Sequence, residues 1–145
     1  MKNKMRDIKY LVVHCTATPQ TTTIKQIENY WKNVLNWKNN GYHFIIEPNG
    51  TIHNITPIEL IANGVKNHNH NSIHISYIGG VDRNNKPLDN RTFDQKISIV
   101  YILRQLLGKF PDATILGHRD FKGANKACPC FNAITEYHDI LNLFG

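Results

Sequence analysis

Residues 8–14 (Ile-Lys-Tyr-Leu-Val-Val-His) form a short apolar run rich in β-branched side chains, the pattern of a strand buried within a sheet. Two further runs of this kind, residues 73–78 and 113–116, are separated from it by segments with helical spacing. From Ile24 the residues Ile27, Tyr30, Trp31, Val34, Leu35 and Trp37 predict an amphipathic helix over 24–37, stopped by Lys38-Asn39-Asn40-Gly41. Thr92 caps a second, whose apolar positions Phe93, Ile97, Val100, Leu103 and Leu107 run to about Gly108, and residues 133–143 can form a closing helix. Residues 42–47 and 51–55 flank Pro48-Asn49-Gly50, and Asn-Gly is a strong hairpin signal. Strands interleaved with helices make an α/β sandwich, and the hairpin forces at least one antiparallel pair, so the sheet is mixed. At 145 residues, one domain over 1–145 is expected.

Composition narrows the function. No apolar run approaches the roughly 20 residues needed to cross a bilayer. Seventeen Lys and Arg against eleven Asp and Glu give a formal charge of +6, which favours anionic partners such as nucleic acid, an anionic membrane surface or cell-wall polymer. Three cysteines, two of them in Cys128-Pro129-Cys130, make a disulfide framework a poor reading. The basic start from Met1 to Arg6 leads into a strand and not into a long apolar region, so no Sec export signal is expected. The chain is then made in the cytoplasm with reduced thiols.

His14 and His118 each end a buried strand, and ligands gather outside the carboxyl ends of strands in α/β sheets. Two neutral imidazoles and a thiolate suit Zn²⁺, leaving a fourth position for water. Alternation turns Cys15 to the face opposite His14, as a small core residue. Spacing does not separate Cys128 from Cys130. Lys126, two residues before Cys128, could stabilise an oxyanion if held beside a metal. Tyr42 reads as an ordinary strand tyrosine heading a strand after Gly41. His68 and His70 fall in a polar loop, and His43, His53, His74 and His138 read as structural or exposed.

Taken together, Val12-Val13-His14-Cys15-Thr16-Ala17-Thr18, Gly41-Tyr42-His43-Phe44-Ile45-Ile46, His70-Asn71-Ser72-Ile73, Tyr77-Ile78-Gly79-Gly80, Gly117-His118-Arg119-Asp120 and Lys126-Ala127-Cys128-Pro129 occur in the order of a known family's motifs. In these the chain resembles the zinc-dependent N-acetylmuramoyl-L-alanine amidases of the phage lysozyme type, the amidase-2 family related to peptidoglycan recognition proteins. The resemblance runs from about Ile8 to Phe131.

It implies hydrolysis of the amide joining N-acetylmuramic acid to L-alanine in peptidoglycan. It also implies Zn²⁺ held by His14, His118 and Cys128, with Lys126 and Tyr42 as catalytic residues. The chain departs from the pattern in three places. Gly64 stands where many members carry a cleft histidine, His74 stands where glycine is usual, and Cys130 replaces a small residue. A monomer is expected, with peptidoglycan as partner, no nucleic acid and no membrane segment. It acts on the wall after release from the cytoplasm, or on wall fragments within it. The competing readings are a non-catalytic peptidoglycan-recognition module and a basic nucleic-acid-binding protein; charge alone supports the latter.

Overall fold

The computed structural model describes residues 5–124 and 126–142. Among these residues five strands form one sheet: β1 (Tyr10–Cys15), β2 (Phe44–Ile46), β3 (Ile52–Asn54), β4 (Ser72–Tyr77) and β5 (Thr114–Gly117), in the order β3-β2-β4-β1-β5. β3, returning from the Asn49-Gly50 turn, pairs antiparallel with β2; the pairs β2–β4, β4–β1 and β1–β5 are parallel. The sheet is therefore mixed, as the hairpin requires. Parallel neighbours need crossovers that cover the sheet faces. Accordingly Leu11, Val12 and Val13 of β1 have no exposed surface.

Side-chain alternation gives the two faces different work. Leu11, Val13 and Cys15 join Ile73, Ile75, Tyr77, Phe44 and Ile46 in the main core, packed against α2 (Phe93–Lys109) through Ile99, Leu103 and Leu106. Val12, His14, Ile45, His74 and Ser76 occupy the opposite face, and all are buried. Smaller apolar clusters from residues around Trp31, Val65 and Phe121 cover that face. Cys15 thus lies opposite His14, as alternation predicts.

α2 starts at the expected cap. The Thr92 hydroxyl accepts the Gln95 N–H, and the Gln95 side chain accepts the Thr92 N–H. The buried Gln95 amide also donates to Ile46 O at 3.1 Å and Ile78 O at 3.0 Å, fixing the helix to the ends of two strands. This anchor sets the helix rotation. The buried stripe is Gln95, Ile99, Val100, Ile102, Leu103 and Leu106; it includes the expected Val100 and Leu103, whereas Phe93 and Ile97, also expected inside, are 68% and 40% exposed.

The C-terminal helix is shorter than expected: α3 covers Ala133–Glu136, a 3₁₀ turn follows at Ile140–Asn142, and residue 143 lies outside the described residues. The helix ends where the Tyr137 ring turns in against Phe131. The buried Arg91 guanidinium lies 3.3 Å over the Phe131 ring and pairs with Asp89 and Glu136, so its charge is neutralised where water cannot reach it.

His43 is structural, as expected, and fully buried. Its Nδ1 accepts the His74 N–H at 3.0 Å and its Nε2 lies 2.8 Å from Leu60 O. Burial, reinforced by the Arg6 charge, pushes its pKa down from 6.5 to about 4. Below pH 6.5 the unfolded chain takes up a proton that the folded chain refuses. The stabilisation is thus full above pH 6.5 and is lost as pH falls toward 4. At 1.36 kcal/mol per pKa unit, the loss is on the order of 3 kcal/mol. Urea midpoints at pH 7 and 4.5 measure it, and His43→Gln flattens the fall while lowering the midpoint at pH 7.

Candidate active site

β1 and β5 are adjacent and parallel, with Val13 opposite Gly117, so His14 and His118 emerge side by side at their carboxyl ends. Their ring centroids are 4.9 Å apart. The loop after His118 folds back over this end of the sheet. A Cβ on Gly117 would lie 2.7 Å from Pro129 Cδ, so only glycine lets the loop pass this close. The Arg119 N–H donates to Cys128 O at 2.8 Å, and the Tyr77 hydroxyl donates to Pro129 O at 2.7 Å. These contacts bring Cys128 Sγ to 3.8 Å from His14 Nδ1, where the sulfur also accepts the Cys15 N–H at 3.2 Å.

One ligand atom from each of His14, His118 and Cys128 lies within 4.8 Å of the other two. Cys130 does not join them. It adopts φ +74°, donates to Gly80 O at 3.3 Å and rests 3.9 Å from Cys15 Sγ. The fit to a metal can be tested by geometry. Zn–N of about 2.0–2.1 Å and Zn–S of about 2.3 Å at a tetrahedral angle separate the two donors by about 3.6 Å. The observed nitrogen-to-sulfur distance of 3.8 Å matches that edge without rearrangement.

Burial holds the His14 pKa well below the ordinary value, with His74, His118 and Lys126 adding to the effect. Burial, followed by Lys126, pushes His118 down to about 4. Both imidazoles are therefore neutral at pH 7, the protonation state that ligates metals. Tyr42 lies two residues before β2 and does not head it; its hydroxyl donates to Cys15 O at 3.3 Å and its ring centroid is 5.0 Å from that of His14. Burial raises the phenol pKa, so Tyr42 keeps its proton and can donate it in a hydrogen bond. Lys126 is exposed on the cleft rim.

The cleft holds about 750 Å³. Its apolar wall comes from the segment expected to be one helix over 24–37. α1 covers Ile24–Asn29, after which Tyr30–Val34 widens into a π-helical turn in which the Leu35 N–H donates to Tyr30 O at 2.9 Å. The wider turn keeps Trp31 buried beneath Tyr42, their centroids 5.4 Å apart, and leaves Tyr30 and Leu35 on the cleft wall.

Of the other histidines, His70 is exposed and the His68 ring packs on Tyr10 and Phe121. His74 is the residue that sequence reasoning missed. It is fully buried on the same sheet face as His14, with Nδ1 2.9 Å from His14 Nε2. Gly64 and His74 are sterically coupled. A Cβ on Gly64 would lie 2.3 Å from His74 Nδ1, so the ring fills the space that a residue-64 side chain would need. The joint departure at the two positions was the available signal.

The chain belongs to the N-acetylmuramoyl-L-alanine amidase family, Amidase_2, whose model matches residues 4–131. It is a peptidoglycan amidase, which sets aside the non-catalytic and nucleic-acid-binding readings. The endolysin of Enterobacteria phage K11 is 32% identical over 130 residues, covering 89% of this chain and 85% of that protein. The endolysin of Escherichia phage T7 is 35% identical over 124 residues, covering 84% and 80%. Among solved structures, the amidase LysCS of Clostridium intestinale superposes with a TM-score of 0.79 at 24% identity, covering 94% of this chain and 85% of that one. Drosophila peptidoglycan recognition protein SA superposes with a TM-score of 0.75 at 19% identity, covering 95% and 82%. These last two share the fold.

Proposed function

We propose that His14, His118 and Cys128 hold Zn²⁺ and that Lys126 and Tyr42 act beside it to cleave the N-acetylmuramoyl-L-alanine bond. The observation that carries this reading is the convergence of two imidazole nitrogens and one sulfur in an open cleft. Bound zinc would supply a Lewis acid that polarises the scissile carbonyl and makes water a competent nucleophile near neutral pH.

The chain's own groups do the rest. Lys126, on the cleft rim beside the three converging ligand atoms, is the group that would stabilise the oxyanion developing on the carbonyl oxygen. The Tyr42 phenol, protonated and next to His14, orients the attacking water through its hydroxyl. Tyr30, Leu35 and the aromatic cluster behind them exclude water from one side of the bound substrate. The surplus of Lys and Arg attracts the carboxylates of stem peptides at long range.

The endolysin relatives support action on the cell wall after release from the cytoplasm. Among the described residues, no helix is long and apolar enough to cross a membrane.

Digestion of purified walls tests the chemistry. New L-alanine amino termini appear without new reducing sugar ends, because glycoside hydrolysis needs a pair of carboxylates flanking the sugar bond. A chelator stops the release and added Zn²⁺ restores it. Shortened glycans with intact peptide links would refute the reading.

A further inference from the structure

His74 touches no cleft surface, yet its side chain is bonded at both ring nitrogens. Its Nδ1 meets His14 Nε2 at 2.9 Å, and its Nε2 meets Asn69 Oδ1 at 2.9 Å. The Asn69 oxygen also accepts the backbone N–H groups of Gly64 at 3.0 Å and Val65 at 2.8 Å. Backbone amides can only donate, so the Asn69 atom facing them is its carbonyl oxygen. That assignment propagates. An oxygen facing His74 Nε2 requires a proton on Nε2, and the neutral ring then presents a bare lone pair at Nδ1. His14 Nε2, facing that lone pair, must carry its own proton. The remaining His14 nitrogen, Nδ1, is left with its lone pair and is the one that lies 3.8 Å from Cys128 Sγ.

We propose that His74 is a positioning residue: Asn69 and His74 form a relay of hydrogen bonds that fixes the tautomer and ring orientation of His14, presenting Nδ1 to the metal. The inference rests on the zinc site proposed above and adds the group that prepares it.

The relay is held from both sides. Arg6 Nη1 donates to Asn69 O and Ser72 O, each at 3.0 Å, tying the Asn69 turn to the start of β4. The His74 ring stacks on that of His43 with centroids 5.8 Å apart and planes 17° from parallel. The absence of a side chain at Gly64 leaves room for the ring. His74 therefore has one position, and its two bonds give it one tautomer. Groups that orient a metal-bound imidazole through its second nitrogen are usually worth 10–100-fold in metal affinity.

Two measurements test this. Long-range ¹⁵N–¹H imidazole spectra of the zinc-free protein should show both His14 and His74 protonated at Nε2; a His14 proton on Nδ1 would overturn the relay. Chelator competition with Zn²⁺ should then show His74→Phe, which keeps a ring but offers no acceptor, binding about 10–100-fold more weakly. His74→Gln, whose amide can accept from His14 and donate to Asn69, should recover part of the loss and restore the Nε2–H form of His14. Wild-type affinity in His74→Phe would overturn the proposal. The spectra require no metal, so they judge the relay even if the phenylalanine variant does not fold. Failure of the zinc reading itself shows separately, as unchanged Zn²⁺ binding by His14→Ala.

Discussion

Lys126→Ala lowers the rate of wall hydrolysis by about 10²–10³-fold, the loss expected for removing one group that stabilises the oxyanion. Zinc content and thermal midpoint stay at wild-type values, because the Lys126 side chain is exposed and is not among the three converging ligand atoms. Rates on a defined muramoyl-peptide, measured beside elemental zinc analysis, check both halves. Since the ammonium acts on charge that develops during the reaction, the deficit falls mainly in kcat. Near-normal hydrolysis by the variant would remove Lys126 from the mechanism.

Cys128→Ser loses zinc and, with it, activity by about 10³-fold or more. Lewis-acid polarisation contributes several kcal/mol, and each 1.36 kcal/mol is tenfold in rate. Cys130→Ser keeps both, although only Pro129 separates the two cysteines. The difference follows from the backbone at 128–130: Cys128 Sγ is directed to His14, whereas Cys130 Sγ is directed to Gly80 O and Cys15. Zinc analysis of the two variants side by side decides it. Full zinc in Cys128→Ser with none in Cys130→Ser would reverse the ligand assignment.

Much of this was legible in the sequence because it depended on local periodicity. The β-branched run ending in His14 and the one ending before Gly117-His118 predict strands, and parallel pairing of β1 with β5 brings the two histidines together. The Asn49-Gly50 turn marks the antiparallel edge. The remainder depended on contacts between segments distant in the chain. The rotation of α2 is set by Gln95 reaching Ile46 and Ile78, which no window around Gln95 reveals. The π-helical turn at Tyr30–Val34 arises where Trp31 must pack beneath Tyr42, while helical spacing alone extends the α-helix. His74 read as structural or exposed because no cysteine or carboxylate stands at a diagnostic spacing from it; its contact with His14 follows from the parallel register, in which Val12 and not His14 stands opposite it. The choice of Cys128 over Cys130 turned on the path of one short loop, for which spacing carries no signal and the family resemblance did.

The strand order β3-β2-β4-β1-β5 has a consequence for how the enzyme comes into being. β1 is made first, yet both of its partners arrive late, at residues 72–77 and 114–117. His14 must then wait across 114 positions for Cys128. At about 5–20 residues per second, a growing chain spends roughly 5–20 s with its first imidazole exposed and nothing to complete it. Pairings this distant in sequence also slow the final collapse, since the intervening loop must close before any contact rewards it. In the zinc site proposed above, the three ligands are therefore complete only once translation has passed Cys128.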